Sequence, residues 1–150
     1  MAEVLFYHLT ARPLEATLPD LLERSLARGW RVVVRLGSDA MLRALDAHLW
    51  TFRDDAFLPH GTPELGHAAA QPVYLTTGDE VPNRPDVLML ADGARATPAE
   101  MAGFVRACLL FDGTAERAVE AARTDWRAVK AADLPAKYWA QEHGRWVQKA

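Results

Sequence analysis

The feature that most restricts this chain is the regular alternation of short β-prone apolar runs with leucines at helical spacing. Val4-Leu5-Phe6-Tyr7-His8-Leu9 is a strand-length apolar run, and residues 14–28 then carry leucines at 14, 18, 21, 22 and 26, the spacing of a single helix face. Gly29 is a natural stop for that helix, and the valine-rich run from Trp30 to Leu36 reads as a second strand. A second helix follows, with the apolar stripe Met41, Leu42, Leu45 and Leu49. Residues 72–76 and 86–91 read as buried strands. Residues 103–111 fit either a strand or a buried helix segment and are taken as a strand. Asp112-Gly113-Thr114 breaks that run and is expected to cap a last helix over residues 115–132, with Pro135 preventing its continuation.

Strands that alternate with helices predict an α/β domain: a mainly parallel sheet with helices on both faces, Rossmann-like in class. With 150 residues, half of them hydrophobic, the chain suits a single domain over residues 1–150. No apolar run reaches the roughly 18 residues of a membrane span, and the first residues lack the basic flank of a signal peptide. The expectation is a soluble, cytoplasmic protein.

A doubly wound sheet invites a search for a phosphate loop, but the turn after the first strand is Thr10-Ala11-Arg12-Pro13, without glycine. Neither glycine-rich nucleotide motif occurs, and no cofactor is expected. Gly37-Ser38-Asp39 fits a helix cap or a small-anion site. His60 and His67 share a loop with Glu64 but lack metal-ligand spacing, so no metal is expected. Asp54-Asp55 reads as a solvated turn, and no catalytic residue is assigned. Cys108, the sole cysteine, lies in an apolar run as an inert thiol.

Two constellations point to binding. Around residues 49–60, Trp50, Phe52 and Phe57 fall where the helical pattern ends, in a long connection from 51 to 71; they either fold onto the core or form an exposed anchor. In the last helix, Arg123, Trp126, Arg127 and Lys130 share one face. That face suits a peptide ending in carboxylates beside an apolar side chain, unless Trp126 joins Ala122 and Val129 in the core while the cations meet water. The net charge of −3 gives the whole molecule no attraction to nucleic acid, yet residues 121–150 hold six Lys/Arg against three acids.

Six fragments, in order, give a resemblance along nearly the full length: Phe6-Tyr7-His8-Leu9, Leu45-Asp46-Ala47-His48-Leu49-Trp50, Phe57-Leu58-Pro59-His60, Leu110-Phe111-Asp112-Gly113, Ala122-Arg123-Thr124-Asp125-Trp126-Arg127 and Tyr138-Trp139. In these the chain resembles the chi subunit of bacterial DNA polymerase III. The resemblance implies an α/β fold without a nucleotide-binding loop, a non-catalytic replication subunit of the clamp-loader assembly, and two protein-binding surfaces. One surface would dock the psi subunit, or a substitute such as a repair helicase, through Trp50, Phe57, Pro59 and His60. The other would hold the acidic C-terminal tail of single-stranded DNA-binding protein through Arg123, Trp126 and Arg127 with Trp139, and Lys130 joins them by its place on the helix face. DNA would be reached only indirectly. The competing reading is a small nucleotide-binding protein or enzyme that shares the fold alone.

Overall fold

In the computed structural model, residues 2–10, 12–51 and 58–150 are described. The elements run β1 (Glu3–Leu9), α1 (Leu14–Ala27), β2 (Val32–Leu36), α2 (Asp39–Thr51), a single 3₁₀ turn (Ala68–Ala70), β3 (Val73–Thr76), β4 (Val87–Ala91), α3 (Pro98–Met101), β5 (Arg106–Asp112), α4 (Glu116–Ala131), β6 (Ala136–Glu142) and β7 (Arg145–Gln148). One seven-stranded sheet results, in the order β3-β2-β4-β5-β1-β6-β7. Every neighbouring pair is parallel except the β6–β7 hairpin at the edge.

The burial pattern explains why β2 and β4 read as unbroken apolar runs. All five residues of each are buried, because helices cover both faces. On one face, Leu18, Leu21 and Leu22 of α1 and Leu45 and Leu49 of α2 pack on Leu5, Val34, Met89 and Cys108. On the other, Met101 of α3 and Val129 of α4 pack on Phe6, Val33, Leu88 and Leu109. The α/β class and the two helical layers agree with the sequence reading. Among the described residues, no helix is long and apolar enough to cross a membrane.

Two local readings need correction. The strand taken to start at residue 103 begins at Arg106, because Thr97-Pro98-Ala99-Glu100 forms a capping box and opens the short helix α3 ahead of it. Asp112 does not cap the last helix. Its carboxylate turns onto Thr114, accepting from the N–H at 2.9 Å and the hydroxyl at 2.6 Å, and the cap position is Ala115, which gives no side-chain bond. The tail after Pro135 is two strands, with β6 lying parallel to β1 and Phe6 opposite Tyr138. β1 continues through α1 over one face and β5 through α4 over the other, so the direction of the connections reverses between these two parallel strands.

Candidate binding surfaces

α4 is amphipathic, and Trp126 stands at the boundary of its two faces. Ala122 and Val129 on one flank are buried, whereas Arg123, Arg127 and Lys130 on the other are exposed. Trp126 itself is half-buried. Its ring meets Phe6 edge-on at 5.2 Å and Tyr138 at 6.0 Å, and the Lys130 ammonium lies 5.7 Å from its centroid. Trp126 thus packs with Ala122 and Val129 against the core along its inner edge, while Lys130 lies near the outer part of its ring.

Charge compensation sharpens this face. Asp125, the acid beside Trp126, is engaged by Arg95 from the loop before α3. Among the described residues, no carboxylate forms an ion pair with Arg123, Arg127 or Lys130. Tyr138 hydrogen-bonds His8, and the rings of His8, Phe111 and Tyr138 meet one another tilted or edge-on. Burial raises the Tyr138 pKa while the nearby Arg123 charge pulls it back, which places Arg123 within electrostatic reach of the phenol. Tyr138, His8 and Arg95 were not assigned to this site from the sequence. The signal that could have found Tyr138 is its register opposite Phe6, once β6 is recognised as a strand.

Trp139 does not share this surface. It pairs with Tyr7 in the β1–β6 register, and alternation along β6 turns it to the sheet face opposite α4. The structure thus groups Arg123, Trp126, Arg127 and Lys130 and leaves Trp139 outside the group.

The second surface lies at the end of α2. Trp50 is 49 % exposed, and its ring rests 4.4 Å from that of His60. His60 is only 2 % exposed. Its Nδ1 is 2.8 Å from the Leu58 carbonyl oxygen, and its Nε2 lies 3.2 Å from the Asp46 carbonyl oxygen and 3.0 Å from the Asp46 carboxylate. Such burial removes His60 from direct contact with any partner and makes it the support of Trp50. Pro59 is half-buried beside it. Phe57, with Phe52 and the Asp54-Asp55 pair, lies outside the described residues. Of the other residues in this connection, His67 and Glu64 are exposed, while His60 lies against Asp46 and Leu58.

At the carboxyl ends of β1, β4 and β5, where a doubly wound sheet ordinarily holds its ligand, a cavity of about 620 Å³ is walled by Leu9, Leu14, Leu109, Ala118 and Ala121. Its rim carries Glu15, Asp92 and Asp112, while its cations are already engaged: Arg95 by Asp125, Arg12 by the Ala16 carbonyl. Gly113 offers no phosphate cradle, since a Cβ there would fall 1.9 Å from His8 Cδ2 and 3.0 Å from the Leu9 carbonyl oxygen. At the Gly37-Ser38-Asp39 turn, Ser38 Oγ accepts from the Met41 N–H at 3.3 Å and donates to Asp92 at 2.7 Å, the bonding of a cap.

Comparison with known proteins decides the family. A sequence model of the family described as DNA polymerase III chi subunit, HolC, matches residues 1–137. The chain belongs to the chi subunit family. Among curated proteins it is similar to the Pseudomonas aeruginosa "DNA polymerase III subunit chi", at 33 % identity over 92 residues, covering 59 % of this chain and 63 % of that protein. It is also similar to the Rickettsia prowazekii "Probable DNA polymerase III subunit chi", at 26 % identity over 90 residues, covering 60 % of this chain and 54 % of that one. The matches thus span less than two thirds of either relative. Within this chi-family chain, four of the six fragments that carried the resemblance (6–9, 110–113, 122–127 and 138–139) meet around β1, β5, β6 and α4, and the other two meet at His60.

Proposed function

We propose that this protein is a non-catalytic accessory subunit of a replicative DNA polymerase III assembly and serves as an adaptor with two docking surfaces. The α4 face takes the acidic, phenylalanine-ended C-terminal tail of single-stranded DNA-binding protein. Arg123, Arg127 and Lys130 pair with its carboxylates, and the exposed part of Trp126 covers the apolar end. The Trp50 surface, with Pro59 and Phe57, docks psi or a substitute such as a repair helicase, with His60 as its inner support. DNA is reached only through the protein that coats it, in keeping with a net charge of −3.

One observation carries this reading: three exposed cations that have no carboxylate partner among the described residues flank a half-buried indole, while the neighbouring acid Asp125 is held by Arg95. A carboxylate-rich peptide with an apolar end supplies both missing complements. Many weak sites of this kind along coated DNA hold the assembly near its template by raising local concentration.

The test is fluorescence polarisation of a labelled acidic tail peptide titrated with wild type, Arg123→Ala and Trp126→Ala. The expected result is saturable binding that Arg123→Ala weakens about tenfold, ~1.4 kcal/mol, with melting temperature unchanged. Equal affinity in the folded Arg123→Ala variant would refute the assigned site.

A further inference from the structure

On the sheet face opposite α4, the last turns of α1 close over a small cavity of about 120 Å³ lined by Tyr7, Arg24, Ser25, Arg28, Arg106 and Cys108. Three arginines line this one space. Arg106 is partnered by Glu3, through both Nε and Nη2. Among the described residues, no ion pair engages Arg24 or Arg28. Among the described residues, the arginines of the cavity wall thus form one ion pair, that of Arg106 with Glu3.

The cations are also held close together. The guanidinium carbons of Arg28 and Arg106 each lie 5.0 Å from the centroid of the Trp30 ring. They are thus within about 10 Å of one another, a distance at which like charges beside a low-dielectric core repel appreciably. The helix C-terminus favours a cation near it, which accounts for one arginine in the last turn of α1 but not for gathering three around a cavity.

The floor of the cavity is suited to an anion as well. The Tyr7 phenol is pushed up by burial and by the adjacent Cys108 thiol, with Arg106 and Arg24 pulling against it, so it stays a neutral O–H donor. Burial pushes the Cys108 thiol up to about 12, which keeps a competing thiolate out of the same space. Ser25 is spent on the Leu21 carbonyl at 3.0 Å and takes no part.

We propose that Arg24, Arg28 and Arg106, with the Tyr7 hydroxyl at the floor, form a binding site for a phosphate group, separate from the α4 surface. A tetrahedral dianion matches planar guanidinium forks arriving from more than one direction and neutralises the cations that Glu3 leaves over. A phosphoryl group fits a space of this size, whereas a nucleotide base finds no open ring, since Trp30 is already overlain by Arg28 and Arg106.

The experiment is thermal unfolding of the full chain with increasing inorganic phosphate at constant ionic strength, using acetate as the carboxylate control. Wild type should show a saturable rise in melting temperature with phosphate and none with acetate, as a ligand specific to the folded state requires. The Arg24→Ala/Arg28→Ala variant, changed at two exposed positions, should lose the saturable part. Tyr7→Phe, which keeps the ring, should reduce it, and Arg123→Ala/Lys130→Ala should retain it. A rise that survives Arg24→Ala/Arg28→Ala, an equal response to acetate, or no rise at all would overturn the assignment.

Discussion

Two tryptophans, each resting against other aromatic rings at the edge of the core, differ in what surrounds them. Trp126 is half-buried against Phe6 and Tyr138 with Lys130 over its ring and arginines alongside. Trp50 projects with 49 % of its surface exposed and lies on His60, a buried residue bonded to the backbone at Asp46 and Leu58. The first setting combines charge with a fixed apolar edge, which suits an ionic peptide of low intrinsic affinity. The second offers an apolar anchor, which suits a partner that covers it. One small sheet thus presents two chemically distinct surfaces at separate positions.

The largest effect that breaks this contrast is expected from Phe6→Ala. Phe6 is fully buried, and its removal should cost ~3–5 kcal/mol while Trp126 loses the ring against which it stands. Denaturant unfolding would measure the stability, and an accompanying loss of tail-peptide binding with Trp50 fluorescence unchanged would separate the two regions. His60→Ala comes next. Leaving the Asp46 and Leu58 carbonyls without their ring partner should cost about 1–3 kcal/mol and free Trp50 from its support, with tail binding preserved. Chemical unfolding beside a tail titration checks both halves.

How much of this was legible in the sequence follows physical lines. Strands buried on both faces and helices with one leucine stripe announce themselves, so β1 to β5, α1, α2 and α4 could be read from periodicity. The β6–β7 hairpin could not, because its strands are only partly buried and carry Lys137, Gln141 and Glu142 among the aromatics. The signal it did offer is the turn: His143 and Gly144 both take positive φ, 50° and 75°, as a tight hairpin requires. Trp139 is grouped with α4 only by the resemblance, and the register with Tyr7 shows that it faces the other side of the sheet. The burial of His60 was not legible either. Histidine on a proline-containing loop looks accessible until the fold brings Asp46 of α2 against it.

A smaller effect concerns the turn that starts the site. The Asp112 carboxyl is held below the usual range chiefly by the Thr114 hydroxyl and then by the Thr114 N–H. A folded-state pKa below the unfolded one contributes stability that is present above the unfolded value, about 4, and is lost as pH falls through the folded value. The melting-temperature advantage of wild type over Asp112→Asn should therefore shrink between neutral pH and pH ~3. An advantage independent of pH would mean that the carboxylate charge does not matter to the turn.

The two surfaces are told apart by the tryptophan indole N–H signals in a nitrogen-correlated NMR spectrum, recorded while the acidic tail peptide is added at low and then at high salt. With the tail seated on α4, the Trp126 signal should move with saturating dependence, the Trp50 signal should stay in place, and added salt should reverse the Trp126 shift because the contact is partly ionic. Movement of Trp50 with Trp126 unmoved would contradict it and place the tail at the other surface.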